Sequence, residues 1–590
     1  MKKIYQSITY VTIGVLVVAT LVSCAEFLEI TPRDKVTEDN FWDEKADVEQ
    51  MVAGCYTAMQ NQDFIARCIV WGDLRGDDVD GASGITGVND VYQALLSNLL
   101  PTNYYTNWAS FYHVINKCNT IIRMAPIVSE KDPAYRSSDA LATIAEVTAL
   151  RSLCYWYLIR AFDEVPFYRF AVQQEDEVDY PTPSSFNTVL SEIINDLEEV
   201  KGNALEHYPT SSDDGYCLTF NSNCNRITRN AIRAMLCDMY LWSGDYDKVI
   251  QNANEIIASK LKDYNDDTSI TGLKKYTSTF GTTEVYLYPN SQTQLNNSFN
   301  QIFGSGNSYE SLFELSFNYS GEGSPYIMNT ALGRFYGAGI TKEIDGLKVN
   351  NGVGLLRPMT NIVSEGSKSS PADWKTYRNP RDVRYYCNIR VVDNDYSEGA
   401  VRKGVALSSN VAFSGSGIVN YQSTNFILPT VMNRNWIFYR LTDVLLMAAE
   451  AYIMKSSDNN TASDLVNLQN AFSLIDIVNQ RSVVQDSYQL KSSPTTTRST
   501  LIDMVRRERR CELMFEGKRW FDIIRYCRQD GSLDIARQVP AKCNSVASSN
   551  PFPSAAHLYW PYYKDEVKRN PNLKQKSIYD KESDSFELNK

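Results

Sequence analysis

The sequence predicts a mostly α-helical protein whose helical scaffold is interrupted by one long irregular segment. Apolar residues recur at steps of three and four in three blocks, about residues 44–126, 139–260 and 436–526, as on the buried face of a helix. Inside the second block, one helix–turn–helix unit is similar to a tetratricopeptide hairpin. Residues 263–430 are rich in Gly, Ser, Asn, Thr and aromatic residues and lack a helical period. We therefore expect helices to form the scaffold and the irregular segment to carry the ligand face.

The N-terminus has the features of a bacterial lipoprotein signal. Two lysines precede an apolar run over about residues 8–22, which is shorter than the roughly 20 residues that a membrane-spanning helix needs. Leu21-Val22-Ser23-Cys24 resembles a lipobox, in which the cysteine becomes the lipidated first residue. Residues 1–23 are expected to be the signal, Cys24 the lipidated residue, and residues 24–43 a tether. An ordinary signal peptide that contains a cysteine is the alternative.

The rest of the chain divides by composition into four expected parts. Residues 44–262 form the first part of the helical scaffold, with a ligand loop at 70–105, and residues 263–430 form the irregular insert. Residues 431–530 form the second part of the scaffold, and residues 531–590 form a tail that packs on it. A helical stripe in the first part joins Trp108, Phe111, Tyr112, Ile115, Cys118 and Ile122.

The clearest hairpin unit is YLWSGDYDKVIQNANEII. Tyr240, Gly244, Tyr246 and Val249 stand where a tetratricopeptide repeat joins its two helices. We expect Gly244 to let the two helices approach closely and the aromatic residues to wedge between them. Residues 449–473 are a degenerate second candidate, and stacking of such units gives a scaffold.

Five stretches of the chain carry a family pattern. They are AEVTALRSLCYWYLIRAFDEVPFY (145–168), NPRDVRYY (379–386), YRLTDVLLMAAEAY (439–452), MVRRERRCELMFEGKRWFDIIRY (504–526) and LYWPYYKDEVKRNPNLKQKSIYD (558–580). Together they resemble the SusD/RagB family of outer-membrane nutrient-binding lipoproteins, keep the order of that family and span nearly the whole mature chain. Two positions depart from the family pattern: Asp163 stands where Gly is usual, and Lys576 stands where Asn is usual.

The 504–526 stretch carries regularly spaced carboxylates. Glu508, Glu512 and Glu516 step by four and share one helical face, and Arg509 is close enough to Glu512 to pair. Paired carboxylates can serve glycoside hydrolysis, but carboxylates on an Arg-rich helix are typical of a structural ion network. The resemblance agrees, since it implies a non-enzymatic protein, and no nucleophile elbow, P-loop or dinucleotide fingerprint stands in a convincing context.

Two regions outside the helices combine aromatic faces with polar groups, as a sugar-binding surface requires. The first is the glycine-rich stretch 70–93, and the second is the aromatic-rich insert. The resemblance implies ligand contacts from loops in these two parts. The candidate ligand residues are Trp71, Arg75, Asp77, Asp78, Asn89 and Tyr92 in the first region and Tyr286, Tyr309, Tyr319, Tyr336 and Trp374 in the second.

The net charge and the cysteine and histidine content argue against nucleic-acid binding and against a metal site. The net charge is −12, and removing Lys2 and Lys3 with the signal makes it −14, which argues against nucleic acid. Most cysteines lie inside helical patterns and are expected to be buried, whereas Cys217 and Cys224 are the expected disulfide pair. DNDYSEG at 393–399 matches a calcium loop only in part. With three histidines and no zinc framework, we expect no metal and no cofactor.

The resemblance implies a protein that captures a nutrient, here an oligosaccharide, at the cell surface. It also implies a partner, a SusC-like TonB-dependent outer-membrane transporter that the lipoprotein covers as a lid. The expected location is the outer membrane, through the lipid anchor on Cys24. Three alternatives stay open: a peptide-binding member of the same family, a surface glycoside hydrolase, and a structural lid without a ligand site.

Overall fold

The computed structural model describes most of the chain after the first 40 residues. The lipobox with Cys24, together with Cys217, Tyr319 and Trp374, therefore lies outside the described residues. The described residues are 41–172, 179–208, 220–278, 280, 283–291, 297–317, 328–337, 343–344, 347–348, 354–368, 370–373, 375–377, 380–392, 395–403, 407–408, 426–427, 434–459, 461–485, 489–490, 497–543 and 551–580.

Helices dominate the described residues. Those before the insert are α1 Lys45–Met59, α2 Gln62–Gly72, α3 Asn89–Leu95, α4 Ala109–Lys131, α5 Ser137–Phe162, α6 Phe186–Val200, α7 Arg229–Ser243 and α8 Tyr246–Asp266. Those in the insert are short: α9 Asn297–Phe299, α10 Thr330–Tyr336, α11 Thr360–Val363 and α12 Val383–Asn388. Those after it are α13 Leu441–Lys455, α14 Ala462–Ser482, α15 Arg498–Leu513, α16 Arg519–Asp530, α17 Asp534–Arg537 and α18 Lys564–Arg569.

Short strands pair two by two, mostly within the insert. The pairs are antiparallel and do not merge into a larger sheet among the described residues. They are β1 Val79–Gly81 with β7 Leu356–Pro358, β2 Lys274–Thr277 with β3 Glu284–Leu287, β4 Ser311–Leu315 with β12 Trp436–Arg440, β5 Glu343–Ile344 with β6 Leu347–Lys348, β8 Ile389–Val392 with β9 Asp395–Val401, and β10 Leu407–Ser408 with β11 Phe426–Ile427. The fold class, a helical scaffold with an irregular insert, is confirmed.

Consecutive helices cover one another's apolar faces. Helix α4 packs between α1 and α5, α5 packs on α6, α7 on α8, α8 on α13, and α13 on both α14 and α15. One continuous buried core extends from Trp42 to Leu573, so the tail packs on the scaffold. Among the described residues, no helix combines the length and apolar character that crossing a bilayer requires. The division into four parts stays a prediction.

The hairpin of α7 and α8 forms as expected, but Gly244 acts differently. Its backbone has φ 84°, and its amide donates to the carbonyl of Tyr240 at 2.9 Å, which ends α7. A Cβ placed on Gly244 would meet no heavy atom within 4 Å. Glycine is favoured there by the left-handed turn, and the expectation that it permits close helix approach is wrong.

The boundary of the third block also differs from the prediction. Residues 436–440 form strand β12 and not the first turn of a helix, with Trp436 opposite Leu315 and Arg440 opposite Ser311. All five residues of β12 are buried. Five consecutive buried residues show no hydrophobic periodicity, so the sequence pattern alone does not distinguish a strand from a helix here.

The carboxylates of α15 join a buried ion network. Glu512 accepts from Arg440 and Arg481, and Arg384 pairs with Glu508 at 2.7 Å. Although burial alone would raise it, these guanidiniums, those of Arg481 and Arg440 first, hold the pKa of Glu512 well below its ordinary value. The structural-network interpretation of this helix is therefore confirmed.

The predicted pairing of Arg509 with Glu512 is wrong. Arg509 pairs with Asp443 at 2.9 Å and with Asp522 at 3.1 Å, because three helices converge on its guanidinium. Asp443 belongs to α13 and Asp522 to α16. The family-like segments 379–386, 439–452 and 504–526 thus meet in space as one electrostatic unit.

The two departures from the family pattern lie beside each other. Asp163 ends α5 with φ 67°, a conformation that a non-glycine residue rarely adopts. The Nζ of Lys576 donates to the carbonyls of Phe162 and Trp560, at 2.6 and 3.0 Å. Burial raises the pKa of Asp163, and the charge of Lys576 opposes that rise. Burial in turn lowers the pKa of Lys576 to about 7, so the lysine stabilises the carboxylate at the turn while it carries its proton.

The cysteines expected to be buried are buried. Free thiols in the core include Cys55, Cys118, Cys154, Cys237 and Cys511. Cys224 is also buried. Its expected partner Cys217 lies outside the described residues, so the disulfide stays a prediction.

Candidate functional site

One cavity of about 1170 Å³ opens between α1, α4, the segment 166–172 and the tail around α18. We call it the cleft. The two other described pockets hold only about 40 and 20 Å³. A ligand site for a drug-sized molecule typically has roughly 300–1,000 Å³, so the cleft has room for a larger ligand.

Helix α1 forms the floor with small and amide side chains. Gln50, Ala53, Gly54, Thr57 and Ala58 line the cleft, and their spacing places them on one face of the helix. The opposite face carries Val48, Val52, Cys55 and Met59, which are buried. Small residues on the outer face leave the volume that larger ones would fill.

Helix α4 forms the second side. Tyr112, His113, Asn116 and Lys117 line the cleft, while Phe111, Val114, Ile115 and Cys118 are buried. The thiols of Cys55 and Cys118 lie 3.9 Å apart where α1 and α4 pack. In the helical stripe that the sequence predicts, Phe111, Ile115 and Cys118 are buried as expected, whereas Tyr112 is half-buried and lines the cleft.

The segment 166–172 forms an aromatic wall with alternating orientation. Pro166, Tyr168, Phe170 and Val172 line the cleft, whereas Arg169 reaches Glu192 at 2.5 Å. Alternation with a period of two is the pattern of extended chain. Phe170 leaves 83% of its surface exposed, which presents a flat ring to a ligand.

Side chains of the scaffold hold the backbone of this wall. Asn116 donates to the carbonyl of Val172 and accepts from its amide, both at 2.8 Å. The hydroxyl of Tyr112 donates to the carbonyl of Pro166 at 2.6 Å, and Asn119 donates to that of Phe170 at 3.0 Å. The wall is therefore fixed in place before a ligand arrives.

The tail around α18 forms the fourth boundary of the cleft, after α1, α4 and the segment 166–172. Glu566, Arg569, Asn570 and Leu573 line the cleft. Burial raises the pKa of Glu566, an effect that Arg569 and a hydrogen bond with Trp108 oppose. The rim residue Tyr180 is tied to the tail, because Asn572 donates to its carbonyl at 2.6 Å.

Two residues predicted as ligand contacts in the first loop have hydrogen-bond partners inside the scaffold. Trp71 is fully buried and donates to the carbonyl of Tyr105 at 2.9 Å. Arg75 is buried and donates to the carbonyl of Leu558 at 2.7 Å. Internal partners thus occupy the polar atoms that a ligand would need.

The acidic residues of that loop bind arginines. Asp77 pairs with Arg519 at 2.6 Å, and Asp78 pairs with Arg510 at 2.6 Å. These ion pairs tie the loop to α15 and α16. On α3, Asn89 is exposed and Tyr92 is half-buried, and ligand contact at these two positions stays a prediction.

The predicted contacts in the insert are also largely committed to the fold. The hydroxyl of Tyr309 donates to the carbonyl of Lys260 at 2.6 Å, and that of Tyr336 donates to Asp73 at 2.5 Å. Tyr286 stacks on Tyr264 with ring centroids 3.8 Å apart and is half-buried. None of the described candidates from either region lines the cleft.

Sequence reasoning missed the cleft, although two signals were present. One is the outer face of α1, where Ala53, Gly54, Thr57 and Ala58 form an uncharged stripe of small residues. The other is the alternation of Tyr168, Phe170 and Val172 after a proline. Both signals lie in stretches that also contain a strong apolar periodicity. Core packing alone explains that periodicity, so the stretches do not indicate a ligand site.

The comparisons with known proteins agree with the helical architecture. Residues 293–579 match the model of the SusD family. SusD-like protein P38 of Formosa agariphila is 23% identical over 610 residues, which cover 98% of this chain and 100% of that protein. SusD-like protein P2 of the same organism is 22% identical over 540 residues, 87% of this chain and 89% of that protein.

Solved structures show the same fold. A SusD superfamily protein from Bacteroides thetaiotaomicron has a TM-score of 0.62 at 18% identity and covers 91% of this chain and 99% of its own. A laminarin-binding SusD-like protein has a TM-score of 0.56 at 18% identity, with 91% and 100% covered. The fold class is therefore that of the SusD superfamily. The matched segment and the SusD-like relatives confirm the resemblance to the SusD/RagB family that the sequence stretches indicated.

Proposed function

We propose that this protein is a cell-surface lipoprotein that binds an oligosaccharide in the cleft. The observation that carries the proposal is the wall of Tyr168 and Phe170, whose backbone the scaffold holds rigidly. Flat rings pack on sugar faces, and the side-chain amides of Gln50 and Asn61 in the cleft supply hydrogen bonds for hydroxyls. One structural relative is a laminarin-binding protein, which supports a glycan over a peptide.

Delivery to a SusC-like TonB-dependent transporter is part of the proposal. Capture requires no covalent step, and two proteins tethered to one membrane have a high effective concentration for each other. The anchor would be the lipid on Cys24. Replacing Cys24 with Ala should release the protein from membranes, and outer-membrane fractionation of a strain lacking the transporter separates anchoring from partner binding.

The test of ligand class is equilibrium binding to the full-length protein in detergent. Neutral and acidic oligosaccharides and short peptides are titrated by calorimetry against the wild type and Phe170→Ala. We expect an oligosaccharide to bind and the variant to bind it about tenfold more weakly, as lost burial of one aromatic face predicts. Phe170 is too exposed for its loss to affect folding, and circular dichroism checks this.

Two outcomes would contradict the proposal. Peptide binding that Phe170→Ala weakens, without glycan binding, would assign the cleft to peptides. New reducing ends in the bound glycan, lost on replacing Glu566 with Gln, would make the protein a glycoside hydrolase.

A further inference from the structure

The cleft contains acidic and basic groups that differ in their partners. Asp63 accepts from the hydroxyl of Tyr104 at 2.8 Å, and Glu566 lies 3.7 Å from Arg569. Among the described residues, no carboxylate pairs with Lys117 or His113, which also line the cleft. Lys117 and His113 therefore lie in the cleft without a carboxylate partner from the described residues, although Asp63 and Glu566 line the same cleft.

These two groups point to the same place. Lys117 follows His113 by four residues, so both lie on one face of α4. The Nζ of Lys117 lies 3.8 Å from the position that a Cβ on Gly54 would occupy. The lysine thus crosses toward the floor of the cleft instead of extending into bulk water, and its side chain is half-buried.

Lys117 is half-buried and has no carboxylate partner among the described residues, and its charge acts on the neighbouring imidazole. Partial burial and then the charge of Lys117 lower the pKa of His113. A neutral imidazole donates one N–H, so the pair offers one charge and one further donor. An anionic oxygen group satisfies both.

We propose that the cleft takes an acidic oligosaccharide, whose carboxylate or sulfate group lies between the Nζ of Lys117 and the ring of His113. This inference rests on the proposed function, because the aromatic wall would hold the sugar rings. A uronate and a sulfate ester share the chemistry of the site, an anion with several acceptor oxygens.

The test uses a panel of oligosaccharides in matched pairs and the full-length protein in detergent. Each uronic-acid oligosaccharide is paired with its methyl ester, and each sulfated one with its desulfated form. We expect the tightest ligand to be acidic and to lose about tenfold in affinity on esterification or desulfation, as for a hydrogen bond to a charged group. Which arm shows the loss identifies the carboxylate or the sulfate.

Variants connect the preference to the two residues. Lys117→Gln keeps a donor and removes the charge, and we expect it to reduce the preference for the acidic over the neutral member of each pair to within about twofold. His113→Leu should reduce the preference in part. Lys262→Gln, on an exposed lysine of α8 outside the cleft, is the matched control and should keep it.

The outcomes separate the two proposals. If neutral glycans bind as tightly as their acidic partners, or if Lys117→Gln keeps the preference, the inference is overturned while glycan binding stands. If peptides bind and no glycan does, the proposed function itself fails.

Discussion

The cleft and the ion network around α15 both contain several charged side chains, but they differ in whether those charges have ion-pair partners. In the network, Glu512 and Glu516 are buried and each has arginine partners. In the cleft, Lys117 is half-buried and has no carboxylate partner among the described residues. The difference shows that a paired buried charge organises the scaffold, whereas a charge left without a partner beside a cavity is available to a ligand.

The largest effect is expected from breaking the network. Glu512→Ala removes one of the two buried carboxylates that each guanidinium faces, and it leaves Arg440 with Glu516 and Arg481 with Glu310. The lost pairs should lower the free energy of unfolding by about 3–5 kcal/mol. Urea denaturation followed by circular dichroism measures the loss. If the variant unfolds at the same urea concentration as the wild type, the network does not stabilise the fold.

A smaller, pH-dependent effect is expected at Lys542. This buried lysine donates to the carbonyl of Leu74, and burial lowers its pKa to about 8. The unfolded chain, with a lysine pKa of about 10.4, binds more protons between these values. The free energy of unfolding should therefore rise with pH from about 8 to 10.4, by about 3 kcal/mol from this group.

The comparison for Lys542 is with Lys542→Met, which has no proton to lose. Denaturation of both proteins at pH 7.5 and pH 10 isolates the contribution of the lysine. We expect the free energy of unfolding of the wild type to increase between the two pH values relative to that of the variant. An equal change in both proteins would show that the side chain of Lys542 is solvated in the folded protein.

Removing a hydrogen-bond anchor of the cleft wall should lower the free energy of unfolding by a smaller amount. Asn116→Ala removes both hydrogen bonds to the backbone of Val172, and we expect a loss of about 1–2 kcal/mol. Hydrogen exchange should become faster at the amides of 166–172, and glycan affinity should fall although the aromatic rings remain. Unchanged exchange at Val172 would show that the wall does not depend on this asparagine.

The smallest effect is expected at Asn89, an exposed residue of the predicted loop. Asn89→Ala should change stability by less than about 0.5 kcal/mol, and it should leave affinity unchanged if the cleft is the ligand site. A large loss of glycan binding would restore the loop of residues 70–93 as the site.

The scaffold was predictable from the sequence because helical periodicity reports burial directly. Phe111, Ile115 and Cys118 repeat as core residues and are fully or almost fully buried. The carboxylates of α15 were also predicted as an ion network, although their partners were not. Arg384 lies 124 residues from Glu508 in sequence, and nothing local indicates such a contact.

The site was not predictable by the same reasoning. Trp71 and Tyr336 stand among glycines and polar residues, which favours exposure, yet tertiary packing buries both. The cleft instead uses the outer faces of helices whose inner faces give the stronger pattern. A cavity is formed by what neighbouring elements leave empty, and a single sequence carries no direct signal of empty volume.

The wall between Pro166 and Val172 has a consequence for how this protein can change. Side chains of Tyr112, Asn116 and Asn119 from α4 hold its backbone through hydrogen bonds. The side chains of the wall that face the cleft therefore make none of these hydrogen bonds. Tyr168 and Phe170 are therefore open to substitution while the frame persists. Variation at these two positions offers a short route to new ligand preferences, in natural lineages and in a designed library alike.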